Sequence, residues 1–463
     1  MTTIAHPRSV RRSQSGFTLV EMIVVTLLLM IAMVGLLAVF DASARINKNE
    51  TDVADAQGSV RYGIYQMTRA IRMAGVGGLY VTQAVLNHND NGLPGITFPG
   101  GSSSYDNVPN NVTVTDVNGR SWTVRPGTDM IEVRGVLFSP LVGFFEQAGC
   151  APCTGTQPLA VSPLAGNALS GYFLNDDPTI RPQFAAIDAY TSGATAAQPM
   201  MVIVQEAKHE VHVCAEADPT ALHRYPQQPY NVGTIVAGTQ LASSNTFGNV
   251  NFGGTIGPRF NVELPSDGGG QPATSMDIIK RAGILDDILF FVTTDDVLDP
   301  NGLHPFLAQG LRRGNAFDVS RLADDVEDMQ VAYGIDTNAD GSVTRLGSCA
   351  PSANDPDPNF STTAGCDEWF PDAVGEAAPT DDQFQLQNPF NPTHDAAANH
   401  CPRLHAVMVS LLAKARDSDP TYKGPAAQGY KTMNTTAAPV TPGNFRRRIQ
   451  TLKINLRNYA FQG

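Results

Sequence analysis

The chain has 463 residues, 42% of them hydrophobic and 16% charged, with a formal net charge of −13. That length suits one large decorated domain or about two to three average ones, and 42 glycines with 32 prolines point to many turns, hence β-rich structure with long loops. An acidic chain excludes general binding to a phosphate backbone, although Arg446-Arg447-Arg448 forms a local basic run.

In chain order, the first feature is a short basic leader carrying Arg8, Arg11 and Arg12. It ends in Gly16-Phe17-Thr18-Leu19-Val20-Glu21 and opens an apolar run to Phe40, in which only Thr18, Glu21 and Thr26 are polar. At about 1.5 Å per residue the run covers the roughly 30 Å hydrocarbon core of a bilayer. The positive flank predicts a cytoplasmic amino terminus and a body on the other side. Ala42-Ser43-Ala44 offers the small-residue site of an ordinary secretory signal. Against that reading, the run exceeds the roughly 7–15 apolar residues of a signal and contains Glu21. A carboxylate at a helix centre in hydrocarbon costs about 2.5 kcal/mol or more, so Glu21 is a candidate functional residue.

Periodicity continues beyond Phe40. Ile46, Val53, Val60, Ile64, Met67 and Ile71 fall on one stripe of an amphipathic helix. Asp41, Arg45, Lys48, Glu50, Asp52, Asp55, Arg61, Arg69 and Arg72 supply its polar remainder. Gly75, followed by Gly77 and Gly78, predicts the helix end, so that Phe17–Ala74 forms one helix. Gly35, Gly58 and Gly63 are its expected bend points.

After Gly78 the pattern becomes strand-like. Expected strands are Val112–Val117, Ser121–Val124, Met130–Leu137, Met200–Gln205, Val211–Cys214, Ile284–Thr293, Met329–Ile335, Leu404–Ala413 and Thr451–Tyr459. In the last, Leu452, Ile454 and Leu456 alternate with Lys453, Asn455 and Arg457, which predicts one face in and one out. Residues 86–110, 150–200, 215–280 and 345–400 look loop-like. The fold class is therefore α+β, with an antiparallel sheet on the helix stripe and large insertions.

Several groups could carry chemistry. Cys150, Cys153, Cys214, Cys349, Cys366 and Cys401 all follow the apolar segment, and an even count in an exported body suggests disulfides. Cys150-Ala151-Pro152-Cys153 has redox-motif spacing but no surrounding βαβ pattern. Asp336, Asn338 and Asp340, followed by Gly341, form half of a calcium loop, but Gly347 stands where the bidentate Glu belongs. Structural calcium and an Asx-rich hairpin turn both remain open. Asn87-His88-Asn89-Asp90-Asn91-Gly92 reads as a turn. His209-Glu210-Val211-His212 lacks the spacing of a zinc-protease helix, and no nucleophile elbow, phosphate loop or dinucleotide fingerprint is present. No enzymatic activity and no required cofactor are expected. Arg446-Arg447-Arg448 reads as a solvated strand entry.

Gly16-Phe17-Thr18-Leu19-Val20-Glu21, with its leader and apolar helix, resembles the cleavage and methylation motif of type IV prepilins and type II secretion pseudopilins. The resemblance implies cleavage between Gly16 and Phe17 by a prepilin peptidase, N-methylation of Phe17, and pairing of Glu21 with the amino terminus of an adjacent subunit. Three further segments resemble the PilW class of minor pilins: Arg61 to Gly75 with its Arg72-Met73-Ala74-Gly75 end, Asp325 to Gly341, and Arg447 to Asn458. That resemblance implies a type IV pilin-like architecture. It has a leader (1–16), a transmembrane half-helix (17–40), an amphipathic half-helix (41–75) and a β-rich head (76–463). It also implies a single-pass inner-membrane protein with a periplasmic head, which then moves to the pilus. Expected partners are other minor pilins, the major pilin, the peptidase and a tip adhesin, in support of adhesion, twitching motility or DNA uptake. A type II secretion pseudopilin of the J or K kind is the alternative.

Overall fold

One long helix and a set of antiparallel strands follow from the two periodicities in the sequence. The computed structural model describes residues 17–76, 85–86, 95–99, 104–137, 276–313, 316–336, 343, 369–370, 403–419, 422, 440–441 and 443–456. It also describes the strands at 142–150, 156–160, 201–206, 211–215, 222–225, 230–235 and 246–251. Two units separate at Ala54 and Asp55.

Helix α1 spans Leu19–Arg72. In the first unit every large apolar side chain from Phe17 to Phe40 is exposed. The helix has no buried face there because its apolar residues go all the way round it. In the second unit one face is buried: Ala56, Val60, Ile64, Met67, Ala70 and Ile71 join the main core. The expected stripe holds from Val60 onward. Ile46 is exposed and Val53 only half-buried, so burial begins later than the periodicity suggests. The helix stops at Arg72, two residues before the expected end, because residues 73–76 form a turn with Gly75 at φ 75°. That left-handed conformation is the common glycine terminator of a helix. At Gly63 a Cβ would lie 3.0 Å from Leu307 Cδ2 and 3.1 Å from Leu411 Cδ1. It is glycine because the sheet approaches closely.

The strands are β1 (Val85–Leu86), β2 (Ile96–Thr97), β3 (Thr113–Thr115), β4 (Ser121–Thr123), β5 (Ile131–Gly135), β6 (Val142–Cys150), β7 (Thr156–Ala160), β8 (Met201–Glu206), β9 (Val211–Ala215) and β10 (Leu222–Tyr225). They continue with β11 (Tyr230–Ile235), β12 (Thr246–Asn251), β13 (Met276–Thr293), β14 (Phe306–Arg313), β15 (Ala316–Asp324), β16 (Val326–Asp336), β17 (Trp369–Phe370), β18 (Arg403–Lys414) and β19 (Arg447–Asn455). The 18-residue β13 is a spine. Its second half pairs with β5 and β14, and its first half with β6 and β8. From β8 the sheet extends through β11 and β12 to β7. A second sheet has the order β17-β16-β18-β19, and β2-β3-β4 and β9-β10 form smaller ones. All these pairings are antiparallel.

Alternate residues of β5, β13 and β14 face α1, among them Val133, Ile288, Phe290, Val292 and Leu307. They share one core with Val331, Val407, Val409 and Leu411 of the second sheet. The opposite faces of β13 and β14 bury Leu289, Phe291, Phe306 and Ala308 against Tyr105, Val114, Val124 and Phe317. Trp369 seals the far face of the second sheet with Ala332, Ala406 and Met408.

The structure corrects three further expectations. The segments read as loops contain strands β2, β7, β10, β11, β12 and β17, together with residues 276–280 of β13. The β14–β15 hairpin was not anticipated; its register pairs Arg313 with Ala316 across Gly314-Asn315, a two-residue hairpin signal in the sequence. In the arginine run, Arg448 is exposed as expected, but Arg447 is buried. On β19 Ile454 is buried and Leu452 half-buried, and Leu456 just beyond it is buried, so the alternation holds.

Candidate functional site

The start of α1 is a closed set of hydrogen bonds. The Thr18 amide donates to Glu21 Oε2 at 2.8 Å and the Thr18 hydroxyl to the same oxygen at 3.0 Å. In return the Glu21 amide donates to Thr18 Oγ1 at 3.3 Å. This is a capping box, Thr-x-x-Glu, in which two otherwise orphaned backbone donors are satisfied reciprocally. An acid in the first turn is also favoured by the positive end of the helix dipole.

Glu21 is therefore not stranded in its own chain. Both side-chain contacts use Oε2, which leaves Oε1 open to a second donor. Chemically the site can hold an ammonium at the mouth of an apolar helix. Sequence reasoning chose Glu21 and overlooked Thr18, although the three-residue spacing carries the capping signal. Phe17 is 77% exposed, and Gly16 lies outside the described residues.

The head is held by buried charge. Arg134 Nη2 and Arg312 Nη2 lie 3.0 and 2.8 Å from Glu132 Oε1. Arg134 Nε and Arg312 Nε lie 3.2 and 2.5 Å from Asp287 Oδ2. The Tyr105 hydroxyl donates to Glu132 Oε2 at 2.7 Å. Burial raises Asp287, and the nearby Glu132 charge adds to it; together they outweigh the arginines and push its carboxyl up to about 7. Burial opposes ionisation of Glu132 too, but Arg134 and Arg312 overcome it and hold that carboxyl below the usual range. Burial, then the charge of Glu132, raises the Tyr105 phenol.

Two more contacts tie elements together. Asp129 accepts the amides of Asn107 at 2.8 Å and Val331 at 2.7 Å, linking the residue-105 loop to β16. Burial, followed by the charge of Asp106, raises its carboxyl well above the usual range. Glu327 accepts Arg447 Nε at 2.5 Å and the Thr441 amide at 2.7 Å, which explains the burial of Arg447. In the same region Lys414 Nζ lies 3.1 Å from Asp325 Oδ1. These groups are scaffold, each carboxylate matched to a cation or backbone donors.

The remaining sequence candidates are separated from this set. β16 runs to Asp336 as expected, but the Asp336 side chain and all of Asn338 and Asp340 lie outside the described residues. No group of three or more metal-ligating side chains occurs among the described residues. Cys150 and Cys214 fall in β6 and β9, with side chains outside the description; Cys153, Cys349, Cys366 and Cys401 lie wholly outside it. Val211 and His212 lie in β9, a strand as expected.

Helix α1 contains a window long and apolar enough to cross a membrane. Residues 11–37 match the prokaryotic N-terminal methylation motif, and residues 290–458 match the family described as Type IV Pilus-assembly protein W. No curated relative matches the sequence. Among solved structures, the chain is similar to the type IV-like pilin TTHA1219 from Thermus thermophilus at 11% identity, covering 63% of this chain and 99% of that one, with a TM-score of 0.16. The second match takes in β14, β15, β16, β18 and β19, the strands that supply much of the core under α1. A methylation-type start on an exposed apolar helix, with these family-matched strands beneath its second half, supports a PilW-type type IV pilin.

Proposed function

We propose that the chain is a minor pilin that primes assembly of a type IV pilus and sits at or near its tip. Family membership implies processing by a prepilin peptidase and assembly with other pilins. In the reading proposed here, the peptidase cuts between Gly16 and Phe17, and Phe17 becomes the methylated first residue. The chain then waits in the inner membrane with its head in the periplasm. On assembly the Phe17–Phe40 helix leaves lipid for the filament core, and the open oxygen of Glu21 takes the amino terminus of a neighbouring subunit, which sets axial register. A carboxylate and an ammonium offset each other's desolvation only when brought together, so the pairing favours the docked state over either chain alone. At the tip, the head supports an adhesin and through it adhesion, twitching motility or DNA uptake.

The observation that carries this reading is the capping box at the mouth of a wholly exposed apolar helix. The test is a Glu21→Ala strain. Pilus number and the amount of this chain in sheared pili should both fall, with unchanged chain in the membrane. Pilus counts equal to the parent strain would overturn the role given to Glu21.

A further inference from the structure

Among the described residues, none of the head covers the outward face of the second half of α1. Gly58, Tyr62, Tyr65, Arg69 and Arg72 recur at steps of four, three, four and three, which puts them on one stripe opposite the buried face. Tyr62 and Tyr65 are 51% and 64% exposed, and Arg61, Arg69 and Arg72 are exposed beside them. No acid occurs between Ala56 and Val76, in a chain whose net charge is −13. None of these three arginines has an ion pair among the described residues. Where the stripe meets the sheet, Gln66, Arg69, Met73, Leu137, Ile288 and Phe290 border a cavity of about 30 Å³, room for a methyl-sized group.

We propose that this face is a docking surface for a carboxylate-flanked apolar loop of a neighbouring pilin subunit, an inference that rests on the subunit reading above. Arg61, Arg69 and Arg72 pair with the carboxylates, and Tyr62 and Tyr65 cover the apolar side chain whose tip enters the cavity. Tyr and Arg are the residue types that concentrate interface energy, because each joins a large contact area to a directed polar group. Nucleic acid or an anionic headgroup shares the anionic chemistry. The chain's net charge of −13 disfavours an extended polyanion or an anionic membrane and is a smaller obstacle to a short loop.

The head itself displays a loop of the chemistry this face selects. Between β13 and β14, Val297 and Leu298 are 76% and 79% exposed, with Asp295, Asp296 and Asp299 around them. The loop is pre-shaped: Asp295 Oδ1 accepts the amides of Val297 and Leu298 at 3.1 Å each and Arg120 Nη2 at 2.6 Å. Such a loop loses little freedom on docking.

The test places the photo-crosslinking residue p-benzoylphenylalanine at Tyr65 of the full chain in cells, and maps adducts from sheared pili by mass spectrometry. The expected adduct is a peptide of another pilin in which an apolar residue is flanked by Asp or Glu. Its yield should fall by about an order of magnitude when Arg69→Glu and Arg72→Glu are added, with unchanged chain level. An adduct to DNA, to lipid or to a carboxylate-free segment overturns the proposal. So does the absence of an adduct while the chain is present in pili. A chain absent from every pilus fraction overturns the subunit reading together with it.

Discussion

The two halves of α1 solve opposite problems with the same backbone. From Phe17 to Phe40 every large apolar side chain faces outward, with Leu19 at 77% exposure and Phe40 at 63%. From Ala56 to Ile71 the apolar side chains lie on one face, and Met67 and Ile71 are fully buried. A helix with one buried face has its partner in the same chain; a helix apolar all round needs a partner outside it, in lipid or in other helices. Each large apolar side chain removed from water contributes about 1.5–3 kcal/mol, so the first half is worth far more to assembly than to the folding of the head. Folding and polymerisation therefore divide along the helix, and substitutions should separate them.

The largest separation should come from the buried ion pair in the head. Glu327→Ala leaves Arg447 buried without its carboxylate and should destabilise the head by about 3–5 kcal/mol, read as a lower denaturation midpoint of the detergent-solubilised chain. Glu21→Ala should leave that midpoint unchanged while lowering incorporation into pili. Equal effects of the two on head stability would erase the distinction between the halves.

Glycines along α1 sharpen the comparison at the next scale. Gly63→Leu drives a side chain into Leu307 and Leu411 and should cost about 1–3 kcal/mol. Gly58→Ala meets nothing within 4 Å and should stabilise by about 0.5–1 kcal/mol through helix propensity alone. Thermal melts of both variants decide whether the buried face lies where the packing puts it.

A pH effect distinguishes the head in a third way. The Asp287 carboxyl is pushed up to about 7, above its unfolded value of about 3.9. The stability it contributes is fully present below the unfolded value and is lost as pH rises through about 7. Glu132 runs the other way: held low, it contributes above about pH 4.3, and that contribution is lost on acidification. Denaturation midpoints should therefore fall as pH rises from about 4 to about 7 and level off above that. Asp287→Asn should flatten that decline. The smallest effect is expected in the first half of the helix, where Leu28→Ala should move head stability by less than about 0.5 kcal/mol.

What could be read in the sequence follows the same division. The apolar run to Phe40, the stripe from Val60 to Ile71 and the alternation from Leu452 to Leu456 were legible because each repeats one period against a clear background. Glu132 and Arg134 were not, because they alternate with Ile131 and Val133 as solvent-facing residues would. Periodicity cannot tell water from a second layer, and here that second layer is the Tyr105 and Phe317 core, where the charges answer one another. Arg447 was misread for the same reason: its partner, Glu327, is remote in sequence. Gly63 looked like a weak point because the close neighbour that requires it, Leu307, belongs to a hairpin the pattern did not reveal. Thr18 was local and readable, yet the membrane cost of Glu21 drew attention away from the capping spacing.

In the function proposed above, an external partner receives the first half of α1, whose large apolar side chains from Phe17 to Phe40 are all exposed. Intact-mass measurement of the chain recovered from sheared pili tests it most directly. The mature chain should lack residues 1–16 and carry one methyl group on Phe17. A chain that retains its leader, or that begins at Arg45 after ordinary signal cleavage, would contradict it.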